Sequence, residues 1–192
     1  MERMMHVIPD ESYREQVIEY VQEHLRDGSH MNGAGGLGRY VDEYDGWLQK
    51  IANDRNVGVT ETTVPAETYM LVRESDNRLI GMCNIRTQLN DALRNRGGNI
   101  GYGIRPSERR KGYNEINLYL ALVRCQELGL DVVLLDCRNN NIGSYKTMEA
   151  LGGILLDYYD DEEEGLCRRY MINVDEAINT YRNIYEPRIR RR

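Results

Sequence analysis

The chain has 192 residues, 41% hydrophobic and 29% charged, with a formal net charge of −6; this predicts a single soluble domain with a substantial core. The acidic balance argues against nucleic acid as a partner, and no apolar run approaches the length of a membrane span. Cys83, Cys125, Cys137 and Cys167 show neither CxxC nor His-paired spacing, so no metal site and no disulfide framework is expected, only reduced and mostly buried thiols.

The segment MERMMH lacks a secretory core, so the expected location is cytoplasmic. Fourteen tyrosines and no phenylalanine mean that aromatic bulk arrives with hydroxyls that need a partner or solvent. Ser12 and Glu15 form a capping-box pattern with Ser12 as N-cap. Val17, Val21 and Leu25, joined by Ile18 and Tyr20, continue it as a helical stripe to about Arg26. Residues 28–38 carry five glycines and predict a mobile loop without regular structure. Val41, Tyr44, Leu48 and Ile51 then repeat helically with Trp47 on their flank. They are expected to pack, and the loop with Tyr40 and Trp47 beside it is a candidate wall for an acceptor pocket.

A polar connection over 54–67 holds Pro65 and leads to a strand at 68–73, a turn at 75–77 and a returning strand at 79–87. A connection over 90–98 precedes the central stretch NIGYGIRPSERRKGYNEINLYLALVRCQEL, residues 99–128. Glycines at 101 and 103 in an extended run suggest a bulge or a close backbone approach. Pro106 cannot continue the ladder, so the strand stops at Arg105. Arg109, Arg110, Lys111 and Gly112 then enter a helix whose first amides lack internal partners, a suitable site for a diphosphate. Spacing alone fits a solvated charge run equally well. The helix is apolar on more than one face and so should be buried on both, with Gly129 as its C-cap.

Residues 132–135 read as a strand covered on both faces, completing a strand–helix–strand crossover. Asn141 is placed to cap a helix over 142–151 that Gly152 and Gly153 end. Segments 154–158 and 166–174 form a closing hairpin across the acidic turn 160–165. A weak helix over 175–185 and a disordered basic tail from Pro187 follow. No repeat or domain boundary interrupts 1–186.

The central stretch resembles the acetyl-CoA-binding motif of the GNAT-type N-acetyltransferase superfamily, whose loop reads Gln or Arg, two residues, Gly, one residue, Gly or Ala. Arg109, Gly112 and Asn114 fall on the specified positions, Asn114 being a departure from a small residue. In NNNIGSYKTMEALGG, Asn141 and Ser144 match the second cofactor segment. The resemblance covers 99–153. It implies a mixed α/β fold, a mostly antiparallel central sheet of six or seven strands flanked by helices, with a splayed parallel strand pair. The donor pantetheine would lie in that splay. It implies contacts from Ile104, Arg105, Arg109, Arg110, Lys111, Gly112, Tyr113, Asn114, Asn141 and Ser144, with an N–H near Ile104 facing the thioester carbonyl.

The implied reaction is acetyl transfer from acetyl-CoA to a primary amine by direct attack in a ternary complex. The acceptor would be a small amine or a peptide or protein amine, and a homodimer is compatible with the resemblance. Relatives carry an acid Tyr four residues after the Ala or Ser of the second segment. Met148 occupies that position here, leaving Tyr145 as the candidate acid and Tyr102 and Glu43 as conceivable bases. Met148 also motivates the alternative of a catalytically silent acyl-CoA-binding module.

Overall fold

The computed structural model describes residues 2–191 and holds seven strands and six α-helices in two sheets. Strand β1 (Met4–Val7), absent from the sequence reading, pairs antiparallel with β2 (Ala66–Arg73), which forms the expected hairpin with β3 (Arg78–Arg86). β3 pairs antiparallel with β4 (Ile100–Ile104). The second sheet has the order β5 (Val132–Arg138), β7 (Gly165–Asn173), β6 (Ile154–Asp161), again antiparallel. The expected mixed α/β fold of seven mostly antiparallel strands flanked by helices is present, and the sheet divides in two where β4 and β5 lie side by side without forming a ladder. Their junction is at Asn99, whose N–H donates to Leu134 O at 2.6 Å while its Oδ1 accepts from Leu134 N at 2.9 Å.

Helices cover both faces of the first sheet. α1 (Arg14–Asp27) and α2 (Tyr44–Asp54) bury Val17, Tyr20, Val21, Trp47 and Ile51 against Met70, Val72 and Met82. α4 (Tyr113–Glu127) and α6 (Val174–Tyr185) pack on the opposite face with Leu71, Ile80, Ile100 and Val133. As expected, α4 is buried on several faces, because it lies under the sheet and also against α5 (Ile142–Ala150) and α6. Its end is a Schellman motif: Leu130 N–H donates to Cys125 O at 2.9 Å and Gly129 N–H to Gln126 O at 3.1 Å.

Several expectations fail for identifiable physical reasons. Asp10, not Ser12, caps the first turn, because its carboxylate accepts from both Ser12 N and Ser12 Oγ. The connection before β4 contains a short helix, α3 (Asp91–Asn95), which Asn90 caps. β5 is not covered on both faces, since Val132 is exposed while Val133 and Leu135 are buried. α6 is held by tertiary burial of Ala177, Ile178 and Tyr185. The tail from Pro187 is ordered through Arg191: Ile189 is buried and bridges Met4, and Arg190 donates to Met4 O at 2.8 Å and pairs with Glu74 at 2.6 Å. Arg192, the last of the three terminal arginines, lies outside the described residues.

Several tyrosines bring their hydroxyls to partners across the fold, among them Tyr185 to Glu115 at 2.8 Å, Tyr159 to Asp136 at 2.6 Å and Tyr44 to Asp10 O at 2.6 Å, whereas Tyr20 OH is buried without a hydrogen-bond partner. A second buried polar link joins β1 to α4, with His6 Nε2 and Asn117 Oδ1 2.8 Å apart and Asn117 Nδ2 donating to Met82 O at 3.0 Å. Burial lowers the His6 pKa to about 4, only partly opposed by the Asn117 bond. Unfolded His6 takes up a proton as pH falls through about 6.5, whereas folded His6 resists until about 4. Stability is therefore lost over that window, by up to about 3 kcal/mol at its acid end. Urea unfolding from pH 7 to pH 4 is expected to show a shallower pH slope in His6→Gln than in the wild type.

Candidate active site

A cleft of about 1020 Å³ opens between β4 and β5. Its floor is formed by Tyr102, Ile104 and Cys137, and its two helical mouths by Gly112, Tyr113 and Asn114 at the start of α4 and Asn141 and Ser144 at the start of α5. Strand alternation makes the β4 edge chemically useful. Arg105 N–H donates to Ile80 O at 2.9 Å on the β3 side, so the main-chain groups of Tyr102 and Ile104 face the unpaired side. The Ile104 carbonyl is occupied by Arg109 Nε at 3.2 Å, leaving its N–H directed to the cleft.

At the α4 mouth, Arg110 and Gly112 take positive φ values of 62° and 75°. Gly112 is the N-cap and no side chain caps α4, so first-turn amides and the positive end of the helix dipole are presented to the cleft. Two left-handed residues separated by Lys111 turn the loop so that successive N–H groups can converge as an anion nest. Arg109 lines the cleft but is held by Asp27 at 2.8 Å and Ser29 Oγ at 2.8 Å. Arg110 lines it as well. Asn114 Nδ2 reaches Thr147 Oγ1 at 3.3 Å, and its Oδ1 is buried without a partner at the cleft wall. Asn141 caps α5 through Ser144 N at 3.2 Å, and Tyr102 OH lies 3.2 Å from both the O and Oγ of Ser144.

Three of the site residues expected from sequence are not brought into the cleft. Arg105 is fully buried on the far side, paired with Glu23 at 2.5 Å and donating to Leu79 O at 3.1 Å, because the strand period turns its side chain towards α1. Lys111 turns to Glu108 at 2.8 Å. Tyr145, the candidate acid, packs under the Arg168 guanidinium, 4.0 Å from the ring centroid, and does not line the cleft. Met148 is core. Tyr113 lines the mouth, with its hydroxyl spent on Glu2 at 2.5 Å. Glu43 and Tyr40 lie off the cleft, and Trp47 cannot wall a pocket, being fully buried with Nε1 donating to Ala34 O at 2.9 Å.

The glycine loop does reach the site, through Ser29, His30, Asn32 and Gly33. It is packed rather than mobile: Ala34 and Leu37 are buried, and Leu37–Arg39 forms a 3-10 turn. Its backbone lies on β4. A Cβ on Gly33 would meet Gly101 O at 2.5 Å, and one on Gly103 would meet Asn32 O at 2.9 Å. The paired glycines of β4 thus mark a close approach, and the bulge alternative is excluded by the unbroken register with β3.

His24 escaped the sequence reading, although it continues the buried α1 stripe at helical spacing from Val17 and Val21. It lines the cleft with Nδ1 3.0 Å from Tyr20 O; burial holds its pKa down, so the neutral ring donates from Nδ1 and keeps Nε2 as an acceptor. Burial pushes the Cys137 thiol up to about 11 and raises the Tyr102 phenol, so both stay protonated at neutral pH.

Residues 19–154 match the family described as acetyltransferase (GNAT) domain. The chain belongs to that family. Solved structures share the fold at low identity. The microcin C7 self-immunity acetyltransferase MccE, in complex with acetyl-CoA and AMP, is 12% identical with a TM-score of 0.65, over 89% of this chain and 92% of that one. A Salmonella typhimurium acetyltransferase that modifies the N-terminal serine of ribosomal protein L7/L12 is 16% identical with a TM-score of 0.63, over 88% and 93%. A spermidine N-acetyltransferase chimera from Vibrio cholerae and hSSAT is 13% identical with a TM-score of 0.63, over 92% and 99%. No curated protein sequence matches. Among the described residues, no helix is long and apolar enough to cross a membrane.

Gly33→Ala forces a Cβ into the β4 backbone at a positive φ of 73°. It is expected to cost at least 1–3 kcal/mol, roughly the cost of one strained backbone position. Urea denaturation measures that loss, and faster amide exchange at Gly101 and Gly103 would report the loop lifting from the strand.

Proposed function

We propose that the protein is an acetyl-CoA-dependent N-acetyltransferase that moves the acetyl group to a primary amine by direct attack within a ternary complex. The observation that carries this reading is the unpaired β4 edge running into an uncapped, positive-φ helix entry at Arg110 and Gly112. Main-chain amides there would grip a diphosphate, with Arg110 adding charge-assisted bonds. Asn141 and Ser144 border the same cleft from α5. The buried, unpartnered Asn114 Oδ1 also fits a polar donor group lying beside it.

Acetyl-CoA supplies the thioester. The Ile104 N–H is placed to polarise its carbonyl, because charge develops on that oxygen as the amine attacks. Tyr102 takes the part that Tyr145 cannot. Its hydroxyl, at the floor of the cleft and held by Ser144, stays protonated and so can donate to the departing sulfur. The attacking amine must arrive neutral. Direct transfer needs no nucleophilic side chain, in keeping with Cys137 being kept as a thiol.

Calorimetry with CoA tests the phosphate mouth. Arg110→Ala and Gly112→Asp are each expected to weaken binding about tenfold or more, since each removes or opposes a charge-assisted contact; unchanged affinity in both would refute the assignment. Tyr102→Phe is expected to lower kcat at least about tenfold with the CoA Kd unchanged, while Tyr145→Phe leaves both unaltered. CoA binding without release of CoA for any amine in a broad panel would instead favour the silent acyl-CoA-binding module that Met148 suggests.

A further inference from the structure

Resting on the acetyl-transfer reading, we propose that Arg86 forms a carboxylate subsite at the closed end of the cleft and that the acceptor is an amine that itself carries a carboxylate. Arg86 ends β3 and lines the cleft, half-buried. Its N–H donates to Asn99 O at 2.7 Å, where β4 and β5 join. The guanidinium is fixed by Nη1 alone, which donates to Gly97 O at 3.1 Å and Gly98 O at 2.8 Å. Among the described residues no carboxylate oxygen lies within 4 Å of it.

The other arginines nearby are neutralised: Arg96 by Asp161 at 2.8 Å, Arg138 by Glu164 and Arg109 by Asp27. Arg110 stands at the opposite mouth, beside the proposed phosphate site. Asp136 acts on Arg86 only from a distance, and its Oδ2 is taken by Gly97 N at 2.5 Å and Tyr159 OH at 2.6 Å. A half-buried cation bonded directly to neutral carbonyls, with its nearest carboxylate acting only at longer range, is incompletely compensated. A planar carboxylate meeting its remaining N–H groups supplies what is missing.

Of the four acids lining the cleft, Glu108 is paired with Lys111 and Glu164 with Arg138. Glu115 and Asp136 accept only from neutral donors, Tyr185 OH for the first and Gly97 N and Tyr159 OH for the second; a polyamine is therefore the competing acceptor class that the test below includes. Residues 99 and 105 are also separated by roughly 20 Å of extended strand. A diphosphate at the α4 mouth and a carboxylate at Arg86 would therefore occupy opposite ends, with the acyl group and attacking amine between them.

The test uses the full chain and reads binding and turnover separately. CoA release is compared for a free α-amino acid, its α-amide, spermidine, and short peptides with or without an acidic second residue; the two acid-bearing classes separate a free amino acid from a peptide acceptor. In the wild type the carboxylate-bearing amines are expected to lead their neutral counterparts about tenfold or more in kcat/KM. Arg86→Gln is expected to erase that ratio through KM, Arg86→Lys to restore part of it, and the acetyl-CoA Kd to stay constant in all three. Succinate titration, expected to bind the wild type and not Arg86→Gln, addresses the subsite even if acetyl-CoA fails to bind. Melting curves and Arg86→Lys guard against misfolding through loss of the Gly97 and Gly98 contacts. Preference for spermidine or the amide, or an unchanged ratio in Arg86→Gln, overturns the proposal, as does absence of succinate binding to the wild type.

Discussion

The cleft exists because β4 and β5 are tied together at one end only. Asn99 uses its own N–H and its side-chain oxygen to satisfy the two main-chain groups of Leu134, and beyond that point each strand is committed to a different partner. β4 is held in register by β3, and β5 along its length by β7. Buried main-chain groups must be paired, so the edge of β4 that no strand covers is a standing demand for a ligand that can add to it. The demand is met by geometry fixed well away from the site.

The walls of that cleft are built by elements that look loose in isolation. The glycines between α1 and α2 lower the chain onto β4 until backbone meets backbone, and Ala34 and Leu37 then anchor the loop in the α1–α2 core. Arg105 and Glu23 complete the arrangement from the other side. The fully buried Arg105 pairs with the half-buried Glu23 and with Glu19 at 3.1 Å, and Glu23 also accepts from Ser107 N at 2.5 Å, which fastens α1 to the point where β4 turns towards α4. This arginine therefore stiffens the helix entry without touching the cleft. The same economy appears in Arg109, which spends its charge on Asp27 and its geometry on the Ile104 carbonyl.

Charge pairing thus separates cations committed to the fold from cations left facing the cleft in a run where they are adjacent. Arg105, Arg109 and Lys111 are committed to carboxylates, whereas Arg110 faces the cleft with its backbone in a left-handed conformation. At the closed end Arg86 holds the analogous position, bound only to carbonyls.

Many local signals were legible where a residue acts on near neighbours in the chain, though not the Asp10 and Asn90 caps. Pro106 ending β4, Gly112 opening α4, Asn141 capping α5 and Gly129 closing α4 all depend on neighbours a few positions away, and the amino-acid order alone placed them, together with the β2–β3 and β6–β7 hairpins and the family. The orientation of long side chains was not legible, because it depends on which partner the fold delivers: Glu23 for Arg105, Arg168 for Tyr145, Ala34 O for Trp47. Nor could the order of the glycine loop and the tail be read, since both are held by contacts with strands distant in the chain. What the sequence determined was the path of the backbone through the binding motif; the tertiary structure decided which charges remain free to bind, because only packing brings each arginine to its carboxylate or leaves it without one.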